Sequence, residues 1–238
     1  MTQGTARRAS GSSKTQARKG QAVPSADKPY HHGSLPQALL DAAEVVLRRD
    51  GMRGLTLRAI SREAGVSHTA AQHHFGDMSG VLSELAASGH RRLVSALATA
   101  TESVKLLQSR RRAMARAYVT FAADNPDLFR LMSRGELLDP TRPALLEARQ
   151  TTTRALADLY GVSTSGANEY VQPDTNQAII MTAAWAYVHG LASLLIDGRL
   201  NLLAKSTEGM RDAEDLVVAA IEHVRLVPTG LTETTKRR

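Results

Sequence analysis

The stretch from Thr56 to Phe75, TLRAISREAGVSHTAAQHHF, constrains this chain more than any other. It reads as two short helices separated by a four-residue corner, Ala64-Gly65-Val66-Ser67. Thr56 is placed to cap a first helix carrying Leu57, Ile60 and Ala64 on one face, and Gly65 is the residue type that ends a helix without a Cβ penalty. Val66 plugs the angle between the two. Ser67 is placed to cap a second helix, His68 to Phe75, by accepting a bond from its first free N–H groups, and the same N-terminus attracts a phosphate. This is helix-turn-helix grammar, in which one helix is offered to a DNA groove.

Two such helices need a third to cover their apolar side. Ser34-Leu35-Pro36-Gln37 supplies its start, with Ser at the cap, Pro in the first turn and Gln placed to close a capping box. Leu35, Leu39, Ala43 and Val46 recur at helical spacing, Leu40 and Leu47 widen the stripe, and the helix is expected to stop near Asp50-Gly51. Leu55, Ile60, Val66 and Phe75 complete the core of this three-helix head.

The rest of the chain keeps the helical period. A long helix is expected from Met78 or Ser79 to about Lys105, with Leu82, Leu85, Ala86, Leu93 and Leu97 inward. Arg110-Arg111-Arg112 opens another, Asn125-Pro126 breaks it, and a short helix with Leu128, Phe129, Leu131 and Met132 follows. Ser133 to Pro143 is a polar connection, Leu145 to Tyr160 a helix ended by Gly161, and Gly161 to Pro173 a loop. Asp174 followed by Gln177 starts a helix that runs to Asp197, apolar over most of its circumference and therefore in need of burial on several sides. The last helix is expected near Arg211 to Leu226. Strand-like alternation and internal repeats are absent from the sequence, so the fold class is all-α with about nine helices.

At 238 residues the chain can bury a proper core as one large domain or two small ones. Without cysteine, neither a disulfide framework, a Cys-based zinc site nor a thiol redox sensor can be built, which fits a reducing cytoplasm. The polar N-terminus and the want of an apolar run of bilayer-spanning length speak against secretion and membrane insertion.

The net charge of +7 is unevenly placed. Residues 1–29 hold Arg7, Arg8, Lys14, Arg18, Lys19 and Lys28 against Asp27, a balance of +5. Residues 228–238 hold Lys236, Arg237 and Arg238 against Glu233, a balance of +2, and the 21 basic and 21 acidic side chains between cancel. Contact with DNA must therefore come from local placement of charge and dipoles, helped by the tails. Residues 1–29 have almost nothing to bury and read as a disordered basic tail, either a solubilising extension or an arm lying along phosphates.

The segment Tyr30 to Leu97, from YHHGSL through GVSHTAAQHHFGD to GHRRL, resembles the DNA-binding part of the TetR/AcrR family of bacterial transcription regulators. Further on, AYVTFAADNPDLFRLMSRG and AAWAYVHGLASLLIDGRL resemble the C-terminal half of the subfamily named for its Trp-His-Gly signature (WHG). The resemblance covers roughly residues 30–226. It implies a helix-turn-helix DNA-binding domain over 30–77, a helical regulatory and dimerisation domain over 78–227, a basic C-terminal tail over 228–238, and a small-molecule effector bound among the body helices. Two positions depart from the family pattern: Gln72 stands where Tyr is usual, and Met78 where a phosphate-anchoring Lys is common. Arg53, Arg58 or the N-terminal tail is then expected to supply the missing charge.

In the second helix of the motif, His68, Thr69, Ala70, Gln72 and His73 point away from the core. Gln can pair two-fold with an adenine edge, Thr and His can bond base edges or phosphate, and the Ala and Thr methyl groups can touch a thymine methyl. Thr56, Ser67 and the helix N-termini are expected to position the head on phosphates, with His74 packed or phosphate-facing beside Phe75. The clustered His31, His32, His68, His73 and His74 invite a metal reading, but adjacent histidines do not readily face one ion, and neither metal nor cofactor is expected. In the body, Trp185 and His189 lie four apart on one helix face with Gly190 beside them. With Tyr118, Phe121, Phe129 and Met132 they are either pocket walls for a ligand or core packing.

These features lead to a DNA-binding transcriptional regulator, a cytoplasmic repressor that reads a palindromic operator in double-stranded DNA as a homodimer joined through its last two helices. An effector of unknown identity would release it, and it engages no membrane. The alternative is a sequence-neutral DNA-binding or protein-interaction module, marked by equal affinity for any duplex. An enzyme is not expected, because the sequence offers no Ser, His, Asp constellation in recognisable context, no Gly-rich phosphate loop and no metal-ligand spacing.

Overall fold

In the computed structural model, Met1 and residues 35–159 and 173–224 are described. Among them are ten α-helices, one 3-10 turn and no strand, so the all-α class holds with one helix more than the sequence suggests. The cap at Ser34, the tails over 1–29 and 228–238, His31, His32 and most of the loop over 161–173 lie outside the described residues.

The head is built from α1 (Leu35–Gly54), α2 (Leu57–Ala64) and α3 (His68–Phe75). Helix α1 buries Leu39, Leu40, Ala43, Val46 and Leu47, the stripe its spacing predicts. Its regular part breaks at Gly51, whose φ is 66°, before a last turn to Gly54. The Thr56 hydroxyl accepts from the Ala59 N–H at 3.1 Å, and the Ser67 hydroxyl from the Ala70 N–H at 3.3 Å, so both expected caps are made. Between them Gly65 turns left-handed at φ 69° and ψ 28°, and the N–H groups of Gly65 and Val66 close on the Arg62 and Ser61 carbonyls. Leu55, Ile60, Ala71 and Phe75 are buried between the three helices, and Val66 is half-buried against them.

Helix α4 (Met78–Thr101) joins head to body and buries Leu82, Leu85, Ala86, Leu93 and Leu97 as expected. It ends at Thr101 instead of running on to Lys105. There the buried Thr101 hydroxyl donates to the Leu97 carbonyl at 2.9 Å. Asp77 caps its start, accepting from the Gly80 N–H at 2.9 Å. A Cβ built on Gly80 would stand 1.9 Å from the Phe75 carbonyl oxygen, so only glycine lets the end of α3 lie this close to α4.

The body continues with α5 (Leu107–Asp124), α6 (Pro126–Met132), a 3-10 turn over Gly135–Leu137, α7 (Pro143–Asp158), α8 (Thr175–Ile196), α9 (Asn201–Ser206) and α10 (Ala213–His223). Helix α5 starts before the arginine run, α7 starts at its own proline, and α10 is shorter at both ends than the sequence suggests. At the start of α10 Asp212 is the cap, accepting from the Asp215 N–H at 2.9 Å.

Helix α8 begins with the capping box that Asp174 and Gln177 predict. By length and composition alone its 22 residues could cross a bilayer, which corrects the expectation that no apolar run reaches that length. In the fold it packs on α5 and α10, and the Tyr187 hydroxyl donates to the Ala220 carbonyl at 2.9 Å. It is also less covered than an all-round apolar helix should be. Only Ala184, Val188 and Ala192 are buried, while Ile179 is 62% and Trp185 54% exposed.

Candidate functional site

The exposed surface of the head centres on α3. Ala71 and Phe75 point into the core, so the period of 3.6 residues puts Thr69, Ala70 and His73 most directly opposite, with Gln72 and His74 on the two flanks and His68 at the first turn. His68, Thr69, Gln72 and His73 are exposed, Ala70 is half-exposed, and His74 is exposed with its ring 6.4 Å from that of Phe75. The Ser67 and Thr69 hydroxyls lie 2.9 Å apart at the helix start. Thr56 is exposed at the start of α2, so both hydroxyl caps stand beside helix N–H groups of the kind that hold anions.

The charge around α3 is selective. Arg49 is occupied by Asp50 and by Glu63 at 2.7 Å. Arg53 and Arg58 are exposed and have no ion-pair partner among the described residues, which leaves both available to a phosphate. Met78 is half-buried and packed against the core. Beside it the Asp77 carboxylate occupies the N-terminus of α4, so a negative group stands next to the position where the family pattern has its lysine. Sequence reasoning missed Asp77 and Gly80, although an Asp three residues before a Gly at a helix start is a readable cap signal.

In the body, four of the six predicted residues come together. The Tyr118 hydroxyl lies 3.0 Å from His189 Nδ1, the Phe129 ring stacks on His189 at 5.2 Å, and Trp185 stands 5.8 Å from His189. Burial pushes the Tyr118 phenol above its ordinary value, against a hydrogen bond with Trp185, and burial pushes the His189 imidazole below its own. Both groups are therefore held neutral, as a hydrogen-bonding pair for an uncharged polar group would be. Beside them is a cavity of about 40 Å³ lined by Arg111, Met114, Tyr118, Met181 and Trp185. Phe121 faces a different recess between α4 and α5, and Met132 packs where Gly89 brings α4 against α6.

Residues 39–85 match the family model of bacterial regulatory proteins of the TetR family, and residues 111–224 match that of the tetracyclin repressor-like C-terminal domain. An uncharacterized HTH-type transcriptional regulator, YobS of Bacillus subtilis strain 168, is 28% identical over 97 residues, which is 41% of this chain and 50% of that relative. The match thus spans half the length of that curated relative. A solved protein with unknown function from Rhodococcus sp. RHA1 is 33% identical, with a TM-score of 0.64 over 82% of this chain and 96% of that one. The TetR family transcriptional regulator PfmR from Thermus thermophilus shares the fold at 19% identity, with a TM-score of 0.52 over 77% of this chain and 94% of its own. With the helix-turn-helix and the C-terminal half each matched, the chain belongs to the TetR family and is a transcriptional regulator with a DNA-binding domain.

Proposed function

We propose that this regulator is a cytoplasmic repressor of the WHG subfamily that binds a palindromic operator as a homodimer and is released by a small-molecule effector. Residues 30–77 would form the DNA-binding domain and 78–227 the regulatory and dimerisation domain, with basic tails over 1–29 and 228–238. The exposed surface of α3 carries this reading: Thr69 and His73 stand opposite its buried side, and Gln72 is exposed on the adjoining flank. Gln72 reads a base edge, His68, Thr69, Ala70 and His73 flank it, and Thr56, Ser67, His74, Arg53 and Arg58 hold phosphates.

The half-covered α8 supports the dimer. Ile179, Ala183 and Ala186 form an exposed apolar flank that a second copy would cover, together with Val218 of α10. The neutral pair Tyr118 and His189, with Phe129 and Trp185, supports an effector that is aromatic or apolar and carries one uncharged polar group. A cavity of about 40 Å³ holds little more than a water, whereas small-molecule sites run to about 300–1,000 Å³, so binding must part α5 from α8. That displacement is the differential interaction an effector needs to shift the spacing of the heads.

The test is a salt-titrated binding assay on the DNA upstream of the protein's own gene beside a scrambled duplex. Preference for the upstream DNA, reduced by about 1–3 kcal/mol in Gln72→Ala, is expected. Arg58→Ala is expected to weaken both duplexes alike and to lower the salt slope by about one. Equal binding to both by the wild type and by Gln72→Ala would instead establish the sequence-neutral module.

A further inference from the structure

We infer that Arg92 is a positioning residue for operator recognition, a side chain that fixes the direction in which the head leaves the body. The inference rests on the proposed homodimer reading a palindrome, because only then does the direction of each head set a spacing.

Arg92 lies on α4, and its guanidinium joins three other points of the fold. Its Nη1 donates to both carboxylate oxygens of Glu44 on α1, at 2.8 and 3.0 Å. Its Nη2 donates to the side-chain oxygen of Asn125, at the corner between α5 and α6. Each partner is itself held. Arg48, one turn along α1, bonds the same Glu44 carboxylate, and the Asn125 amide donates to the Phe121 carbonyl at 2.9 Å. Burial pushes the Glu44 carboxyl up, but the bonds and charges of Arg48 and Arg92 outweigh it and keep the group ionised. A head helix, the joining helix and a body corner therefore meet on one planar fork.

The apolar contacts around this node cannot do the same work, because hydrophobic burial has no direction and lets packed helices slide by small amounts. A guanidinium fork fixes both distance and angle. The node's share of stability is small on the Arg92 side, which is 39% exposed, and although Glu44 is 17% exposed, Arg48 still holds its carboxylate when Arg92 is removed. Geometry without much stability is what a positioning residue supplies. On the opposite side of the head Arg142 reaches Glu84 at 3.1 Å and the Phe75 carbonyl at 3.4 Å, so α3 keeps its own tie to α7 when the Arg92 node is removed.

The experiment uses the full chain. A palindromic duplex is selected from random sequence by the wild-type protein, and affinity is compared between it and versions lengthened by one or two base pairs at the centre. The wild type is expected to discriminate sharply. Arg92→Ala is expected to lose about tenfold of that discrimination while the melting temperature barely moves, a coupling within the range found between contacting residues. Arg92→Lys keeps the charge but cannot span Glu44 and Asn125 together, and is expected to fall between the two. If Arg92→Ala and Arg92→Lys discriminate as sharply as the wild type, or weaken all duplexes equally along with a fallen melting temperature, the positioning role is overturned. If the wild type selects no palindrome or ignores spacing, the homodimer reading falls and takes this inference with it.

Discussion

At the scale of single residues, two positions on α4 act through what they exclude. Gly80 excludes a side chain. With the Phe75 carbonyl 1.9 Å from where a Cβ would sit, Gly80→Ala must push α3 off α4, and the backbone has no flexible end to move. The expected cost is about 1–3 kcal/mol in denaturant unfolding, with loss of DNA binding at temperatures where the chain is still folded. His90 excludes a proton. Its Nδ1 lies 3.1 Å from the Thr152 hydroxyl, which donates onward to the Ala148 carbonyl at 3.0 Å and so must accept from His90. The other ring nitrogen is buried without a partner, and burial, with Arg149 nearby, pushes the imidazole down to about 4. The unfolded chain binds this proton near 6.5 and the folded chain does not, so stability is highest above 6.5 and falls as pH drops towards 4. Denaturant midpoints measured across that range should show the decline, and His90→Gln should flatten it.

At the scale of helices, three of the starts could be read from the sequence. Thr56, Ser67 and the Asp174–Gln177 box are local signals, complete within four residues, and each is made as read. Thr56→Ala is accordingly expected to cost about 1 kcal/mol of stability in chemical denaturation, and to weaken binding to every duplex alike. Helix ends were less legible, because α4 stops at Thr101 although the helical pattern of the sequence continues for several more residues. Helix α9 was missed because six residues are too short to show a period. In the candidate site, the exposed face of α3 followed from spacing alone. The meeting of Tyr118, Phe129 and His189 did not, since these residues come from three helices and only the packing of α5, α6 and α8 brings them together. Nor could spacing reveal Asn125 as a partner of Arg92, thirty-three residues away.

At the scale of the whole molecule, α8 has more apolar surface than one chain covers. Ile179→Asp places a charge in the flank proposed to meet a second copy and is exposed in the single chain, so it should leave folding intact. Sedimentation should show a monomer, and operator affinity should fall because paired heads no longer bind as one. An unchanged dimer would move the interface elsewhere. The charge of the assembly has its own logic, visible at Asp77. A carboxylate at the N-terminus of α4 stabilises that helix in the same way as a phosphate would, so a duplex docked on the proposed face of the head would meet a charge of its own sign there. What secures the fold at this point would then repel the ligand. Asp77→Asn, which keeps a capping oxygen and removes the charge, should tighten binding to any duplex and steepen its salt dependence, and that gain would mark the wild-type grip on DNA as looser than the fold alone permits.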